Sequence, residues 1–277
     1  MKKQLNIIKG FVLVFLICFS LVPVLPGTSA AGDLESVTYR LKWLFNASEM
    51  GDIYADVHGH FKEVGLDVDV KAGGPERDAI RELELGHADF GVASADQVIR
   101  ALSKGSPVVV IAQLFQINPL QWIYRKESLN ITRIEDLKGN IIGITFGGND
   151  ETIMRTLMAK VGITEKDIEI FSVRYDLTPF YQKRADVWPV YRNSQAPILE
   201  KKLGELGEGV AYFNPSDYGV KFVANSVVTS IRMVETRPDV VKKFIAALLE
   251  GWEQSLDPAN EVQALKTLKE YDKDTAA

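Results

Sequence analysis

The chain's histidines are His58, His60 and His87, and they offer little for catalysis. His58 and His60 are two residues apart, which on a helix turns them about 200° around the axis. They cannot share a metal there, so both read as solvated surface and no metal site is expected. There is no Gly-x4-Gly-Lys-Ser/Thr loop, no Gly-x-Gly-x-x-Gly, no Gly-x-Ser-x-Gly and no His-Glu-x-x-His. A hydrolase or metalloenzyme would have to assemble its site from scattered carboxylates. The groups that stand out are suited to holding a molecule. Trp43 follows the first strand, with Asn46 and Glu49 close behind it. Trp43 is either a core tryptophan or a wall of a cleft; Glu49 is either a first-turn helix residue or a polar contact. Phe146-Gly147-Gly148-Asn149 precedes a helix, so N–H groups there are placed to hold an oxyanion or a carbonyl oxygen. Asp150 and Glu151 in the same turn already complement the helix dipole, which argues against a strongly anionic ligand. Ser94 opens the helix after Val92, either as a donor to the cleft or as a plain N-cap.

The elements that must position these groups alternate along the chain. Val37 to Leu41 and Leu66 to Val70 read as strands. Ala79, Ile80 and Leu83 mark a helix face stopped by Gly86. Strand Phe90 to Val92, a helix through Val98, Ile99 and Leu102, and strand Val108 to Ala112 follow. This βαβα order predicts an α/β fold with largely parallel sheets. A second unit begins near Leu120 with strand Trp122 to Tyr124, a turn at Asp136 to Gly139, and strand Ile141 to Thr145. A helix over Asn149 to Lys160 comes next, then strands at Ile168 to Val173, Ala185 to Val187 and Val210 to Phe213. Phe222 to Thr229 carries the chain back to the first unit, and Arg237 to Tyr271 is helical. Ala88-Asp89-Phe90 and Ala185-Asp186-Val187 both sit at helix-to-strand junctions, 97 residues apart. Either a common dipeptide recurs by chance, or two similar lobes present the ends of their strands to a shared cleft.

The first thirty residues read as an export signal: Lys2, Lys3 and Lys9, then an apolar run from Phe11 to Phe19, then Pro23 and Pro26, then small residues. Cleavage is expected after Ala30. A membrane span needs ~20 apolar residues, and the prolines interrupt this run. Of 277 residues with 32 basic and 37 acidic, removal of residues 1–30 takes three lysines and the single cysteine, leaving 247 residues with a net charge of −8. Cys18 lies inside the apolar run, where lipidation is not expected. A mature chain without cysteine has no disulfide, thiolate metal site or cysteine nucleophile. Nothing basic stands out, so nucleic acid is not an expected partner.

Seven segments, in order, resemble the family of extracytoplasmic solute-binding proteins related to thiamine-pyrimidine synthase. They are Leu41-Lys42-Trp43 with Asn46; His58 to Val68; Gly73-Gly74-Pro75; Ala88 to Val92; Thr145 to Asn149; Ala185 to Tyr191; and Asn214 to Val220. The resemblance runs from about Val37 to Asp257, and relatives continue for a few more helices, so the C-terminus reads as short. It implies a two-lobed periplasmic-binding-protein fold of type II. Lobe I would comprise residues 34–119 with 226–277, and lobe II residues 120–225. It implies a monomeric periplasmic receptor that hands its ligand to the membrane subunits of an ABC importer. It also implies a rival. The eukaryotic pyrimidine synthase of this family uses a lysine and, four residues on, a histidine, where this chain has Ala93 and Gln97. Without them there is neither a Schiff base for pyridoxal phosphate nor a histidine donor, so no enzyme activity and no cofactor are expected.

The implied ligand is a small planar heterocycle, stacked on Trp43 with Tyr54, Trp188, Tyr191 or Tyr218 closing the sandwich; Tyr54 reads equally as a helix-face residue. Stacking adds ~1 kcal/mol per contact and burial of ~200 Å² about 5 kcal/mol. Micromolar binding needs about 8 kcal/mol net of association costs of at least ~4. Polar contacts must supply the difference: Asn46, Glu49 (whose carboxylate would accept two N–H bonds from an aminopyrimidine), Ser94, Gly147, Gly148 and Asn149. Arg192 and Lys62 are the cations counted near these motifs, which favours a near-neutral aromatic ligand over sulfonate, taurine or nitrate; flavin is another alternative. A ligand-sensing subunit of a membrane kinase shares these features. Closure is expected about Gln121 to Tyr124 and Phe222 to Asn225.

Overall fold

A computed structural model describes residues 33–174 and 176–273. The expected export signal lies outside the described residues. The strands are β1 (Glu35–Arg40), β2 (Leu66–Lys71), β3 (Phe90–Ala93), β4 (Val108–Phe115), β5 (Leu120–Arg125), β6 (Ile141–Ile144), β7 (Glu169–Ser172), β8 (Val187–Tyr191), β9 (Val210–Phe213) and β10 (Ala224–Ser230). The helices are α1 (Met50–Val57), α2 (His60–Glu63), α3 (Ala79–Leu85), α4 (Ala95–Ser103), α5 (Asn149–Lys160), α6 (Thr178–Tyr181), α7 (Gln195–Glu205), α8 (Ile231–Thr236), α9 (Pro238–Leu256) and α10 (Glu261–Tyr271). No described helix is long and apolar enough to cross a membrane.

Among the described residues the strands form two five-stranded sheets, ordered β2-β1-β3-β10-β4 and β7-β6-β8-β5-β9. In each, three strands run parallel and one antiparallel strand, β10 or β5, separates them from the edge strand. The sheets are two copies of one plan, and the Ala-Asp repeat belongs to it. The Asp89 carboxylate accepts the N–H of Thr38 on β1, and that of Asp186 accepts the N–H of Ile141 on β6, each at 2.8 Å. Each carboxylate therefore ties the entry of its own strand to the neighbouring strand, at the middle of β1 in one sheet and at the first residue of β6 in the other. The residues facing the cleft are those at the opposite ends of the strands.

Alternation decides what each strand buries. Val37, Tyr39 and Leu41 point into a core built on α9, where Val240, Val241, Phe244 and Leu248 are buried and Ile245 packs at the margin. Phe244 stacks on Phe90 at 3.8 Å and on Phe61 at 5.3 Å, with Tyr39 edge-on at 4.9 Å. On the other face of the same sheet, α3 and α4 contribute Ile80, Leu83 and Val98. Helix α3 ends on Gly86, which takes the left-handed conformation at φ 71°. The second sheet is covered by Ile153, Met154, Leu157 and Met158 of α5 on one face and by Ala196, Leu199 and Leu203 of α7 on the other.

The chain passes between sheets twice, over residues 116–119 and 214–223, and the N–H of Asn118 donates to the carbonyl of Phe222 at 2.9 Å. The expected hinge at Gln121 to Tyr124 is displaced. Those residues lie inside β5 and are hydrogen-bonded to β8 and β9 on both sides, so the freer backbone is the segment just before them.

Helices α1 and α9 pack backbone to backbone. A Cβ on Gly251 would lie 2.4 Å from the Ala55 Cβ, and one on Gly51 would enter the Trp252 ring. Gly251→Ala is therefore expected to lower stability by about 1–3 kcal/mol, read as an earlier urea midpoint. An unchanged midpoint would show that the two helices can separate freely.

Candidate functional site

A cleft of about 730 Å³ opens between the two sheets at the carboxyl ends of their strands. Its first wall is the loop after β1 and the start of α1. Asn46 caps the short turn Ala47–Glu49: its Oδ1 accepts the N–H of Ser48 at 2.7 Å and its Nδ2 donates to the Leu44 carbonyl at 3.0 Å. That turn drives Glu49 inward at 1% exposure and holds half-buried Trp43 at the wall, where its carbonyl accepts the N–H of Gly73 at 2.8 Å. The opposite wall is the end of β8 and the start of α5. There Asn149 donates to the Tyr191 hydroxyl at 3.2 Å.

Of the residues singled out in the sequence, the cleft brings together Trp43, Asn46, Glu49, Gly147, Gly148, Asn149, Trp188 and Tyr191. Trp188 borders it with little surface, being 1% exposed and packed near Phe171 and Phe180 in the second core. Three others lie elsewhere. Tyr54 is buried against α10, its ring 3.9 Å from His58 and its hydroxyl donating to Gln263 at 3.4 Å. Ser94 is fully buried and its hydroxyl donates within its own helix start, to Asp96 at 2.6 Å or Gln97 at 2.8 Å. Tyr218 stacks on Phe213 at 4.6 Å in the second core. The turn before α5 also differs from expectation. The Gly147 N–H donates to the Glu151 carboxylate at 2.7 Å and the Gly148 N–H to the Thr145 carbonyl at 2.9 Å. A helix acid and a backbone carbonyl thus occupy donors that an anion would need. His58 and His60 are half-buried, not solvated; His58 bridges α1 to α10 through Thr267 at 3.0 Å and Gln263 at 3.1 Å. No metal-binding cluster occurs among the described residues.

Three cleft residues escaped the sequence reasoning. Lys42, next to Trp43, sends its Nζ across the cleft to the Tyr191 hydroxyl and to Asn149 Oδ1, the latter at 3.3 Å. Its place at the carboxyl end of β1 was signal enough. Gln195, four residues after Tyr191, opens α7 and lines the same space. Asp272, buried at 5% exposure, comes in from beyond α10, and no local pattern announces it.

The electrostatics are dominated by buried acids. Burial, reinforced by the nearby Asp52 and opposed by Lys42, pushes the Glu49 carboxyl well above the usual carboxylate range. Burial also pushes Asp52 up to about 7, with the Tyr39 hydroxyl donating to it, and Asp150 up to about 6, against the N–H of Thr145. The Tyr191 phenol is likewise raised by burial.

The chain matches the family described as NMT1/THI5 like over residues 46–261. It belongs to that family. A formylaminopyrimidine-binding protein of Halalkalibacterium halodurans is 29% identical over 240 residues, covering 84% of this chain and 71% of that protein. A 4-amino-5-hydroxymethyl-2-methylpyrimidine phosphate synthase of Legionella pneumophila is 24% identical over 233 residues, covering 80% and 70%. The periplasmic aliphatic sulphonate binding protein of Escherichia coli shares the fold with a TM-score of 0.66 at 16% identity, covering 86% of this chain and 74% of that one. The architecture of this NMT1/THI5-like chain is the two-lobed, type II periplasmic-binding-protein fold.

The buried acids make stability depend on pH. A carboxyl whose folded pKa lies above its unfolded value stabilises fully below the unfolded value, and that contribution is lost as pH rises through the folded one. With Asp52 near 7 and Asp150 near 6, Tm is expected to fall by roughly 10 °C between pH 5 and pH 8. Asp52→Asn should flatten the profile; a Tm that is level or rising over this range in the unmodified protein would contradict the assignment.

Proposed function

We propose that this protein is the extracytoplasmic receptor of an ABC importer. In this reading it captures a small planar nitrogen heterocycle, of the pyrimidine class that supplies thiamine synthesis, and releases it unaltered to the membrane subunits. The observation that carries the reading is the convergence of Trp43, Tyr191 and the buried Glu49 carboxyl on one cleft at the strand ends of two lobes. A flat ring between indole and phenol gains stacking, and its N–H edge meets an acceptor held out of water. The formylaminopyrimidine-binding relative supports this ligand class, and the volume also admits a flavin-sized ring system. The cleft is poor in positive charge deep inside: Lys42 faces Glu49, Asp150 and Asp272, while Arg174 and Lys202 are exposed at the rim. That balance favours a neutral ligand over a sulfonate or nitrate.

Release without reaction is supported by the same wall. Ala93 and Gln97, the positions where the synthase resemblance calls for lysine and histidine, do line the cleft, and neither can form a Schiff base. Lys42 is an amine in the cleft, and it donates to Tyr191 and Asn149. Residues 34–119 with 226–277 and residues 120–225 are the two bodies we propose to close on the ligand, acting as a monomer. A periplasmic location is part of the same proposal, supported by the periplasmic sulphonate-binding protein that shares the fold.

Native mass spectrometry of the purified protein should reveal a retained heterocycle. In titrations with hydroxymethyl- or formylamino-pyrimidine, tryptophan fluorescence should fall, and the signal should come mainly from Trp43, since Trp122 is buried in the second core, Trp188 shows the cleft little surface, and Trp252 packs near Phe115 outside the cleft lining. Trp43→Ala should abolish the quench and weaken binding about tenfold; an unchanged Kd would remove Trp43 from the site.

A further inference from the structure

Among the described residues, two that are not glycine hold a positive φ, Lys183 at 59° and Asn225 at 51°. Lys183 lies in an exposed turn. Asn225 is fully buried and sits in β10, where the second crossover enters the first sheet. Ala224 and Ser226 pair with β4, and Ser226 also with β3, but Asn225 has no register partner on either strand. Its amide is poorly satisfied as well: Nδ2 reaches the Ser48 carbonyl only at 3.5 Å, and the buried Oδ1 has no hydrogen-bond partner. A left-handed residue with an unsatisfied buried amide persists only where its surroundings hold it. Gln113 of β4 is one hold. Its Nε2 donates to the carbonyls of Ala224 at 2.5 Å and Phe115 at 3.0 Å, and its Oε1 accepts the Ser226 hydroxyl at 2.7 Å. The residues on both sides of Asn225 are thus clamped, which concentrates the bend in its own backbone angles. The second hold reaches across the cleft. Ser48, whose carbonyl faces the Asn225 amide, donates its hydroxyl to Asn193 Oδ1 or Ser194 Oγ beyond β8, each at 3.2 Å.

We propose that Asn225 is a backbone switch for lobe closure, left-handed where the lobes touch, as here, and extended where they part. This rests on the two-body reading above and adds to it the residue that sets the resting balance. Parting of the lobes breaks the Ser48 contacts to Asn193 and Ser194, and the turn against which the Asn225 amide rests is then held from one side only. The angles of Asn225 relax. Because residues 214–223 feed directly into β10, a change from left-handed to extended at Asn225 redirects that crossover and the second sheet with it. Asparagine suits the role: it enters the left-handed region more readily than other residues with a side chain, yet still favours the extended one. Glycine would make the left-handed form free, and a β-branched side chain would nearly forbid it. The residue type at 225 therefore sets how far the ligand-free protein rests closed.

The test needs no ligand. Spin labels on Arg77→Cys and Ser172→Cys, exposed positions on either side of the rim pair Glu76–Arg174, report the distance between the lobes. Asn225→Gly should raise the share of the short distance and Asn225→Val should lower it. The ratio of short to long should then differ between the two variants by roughly tenfold or more. Asn225→Ala deletes the amide and keeps the penalty of a Cβ, so it should fall on the same side as Asn225→Val, and it keeps the test decisive if Asn225→Val does not fold. A role limited to the lost amide would move all three variants in one direction. Equal ratios in the glycine and alanine variants, or a shift of both the same way from the unmodified protein, overturn the switch. Either result leaves the receptor reading intact, because that reading is decided by the pyrimidine titration.

Discussion

A carboxyl group buried with an oxygen unpartnered is costly to keep, and the first lobe keeps one at the wall of its cleft. Glu49 stands at the start of α1 with Asp52 one turn on, both nearly without solvent contact. Neither can swing outward to water, because α1 is pinned to α9 where glycines at 51 and 251 let the two backbones meet. Packing thus enforces the electrostatics: the tight helix pair holds the acids in place, and their surroundings raise their proton affinity. Unpaired burial of a polar group costs roughly 1–3 kcal/mol in proteins. A ligand that brings an N–H to Glu49 recovers much of that, so the cost incurred in folding reappears as binding strength.

The topology turns this wall into half of a clamp. Each sheet inserts one antiparallel strand, reached by a crossover, and the two crossovers are joined by the Asn118–Phe222 hydrogen bond. A paired connection of this kind restricts relative motion of the sheets to bending and twisting about one line. Among the described residues, polar contacts span the cleft from Lys42 to Tyr191 and Asn149, from Ser48 to Asn193 and Ser194, from Gln97 to the Gly147 carbonyl, and from Arg174 to Glu76 at the rim. Exposed ion pairs such as the last contribute about 0–1 kcal/mol. These contacts suit lobes that meet and part.

The fold was legible because its signals are local. Helix α5 occupies Asn149 to Lys160 as the sequence predicts, and the return strand joins the first sheet because Val227 and Val228 are apolar enough to be fully buried in it. Of the aromatic residues singled out in the sequence, Trp43 and Tyr191 do line the cleft at the strand ends. The site was not legible where a tertiary partner decides. Tyr54 and Tyr218 carry the right ring, but α10 and Phe213 claim them. Ser94 is equally plausible as cap or donor until Asp96 and Gln97 take its hydroxyl. The glycine turn before α5 has the outline of an anion site, yet Glu151 and Thr145 occupy its amides. Asp272 arrives from more than two hundred residues away in sequence, which no pattern around Trp43 encodes.

The same fold serves a sulphonate receptor, so the choice of ligand charge must lie in the side chains lining the cleft. Like charges ~5 Å apart at an effective dielectric of ~20 repel by about 3 kcal/mol. A sulfonate beside ionised Asp150 and Glu49 would meet that repulsion twice, with Lys42 cancelling about one share. Protonating Glu49 removes another share, which its burial already favours. What remains, with Asp272 a further acid in the wall, is a cleft without net positive charge deep inside, whose amides at Gly147 and Gly148 are occupied and whose exposed cations, Arg174 and Lys202, stand at the edge. Such a site gives an anion little to replace its hydration. A neutral ring loses far less water on entry and meets indole, phenol, amide and carboxyl in return.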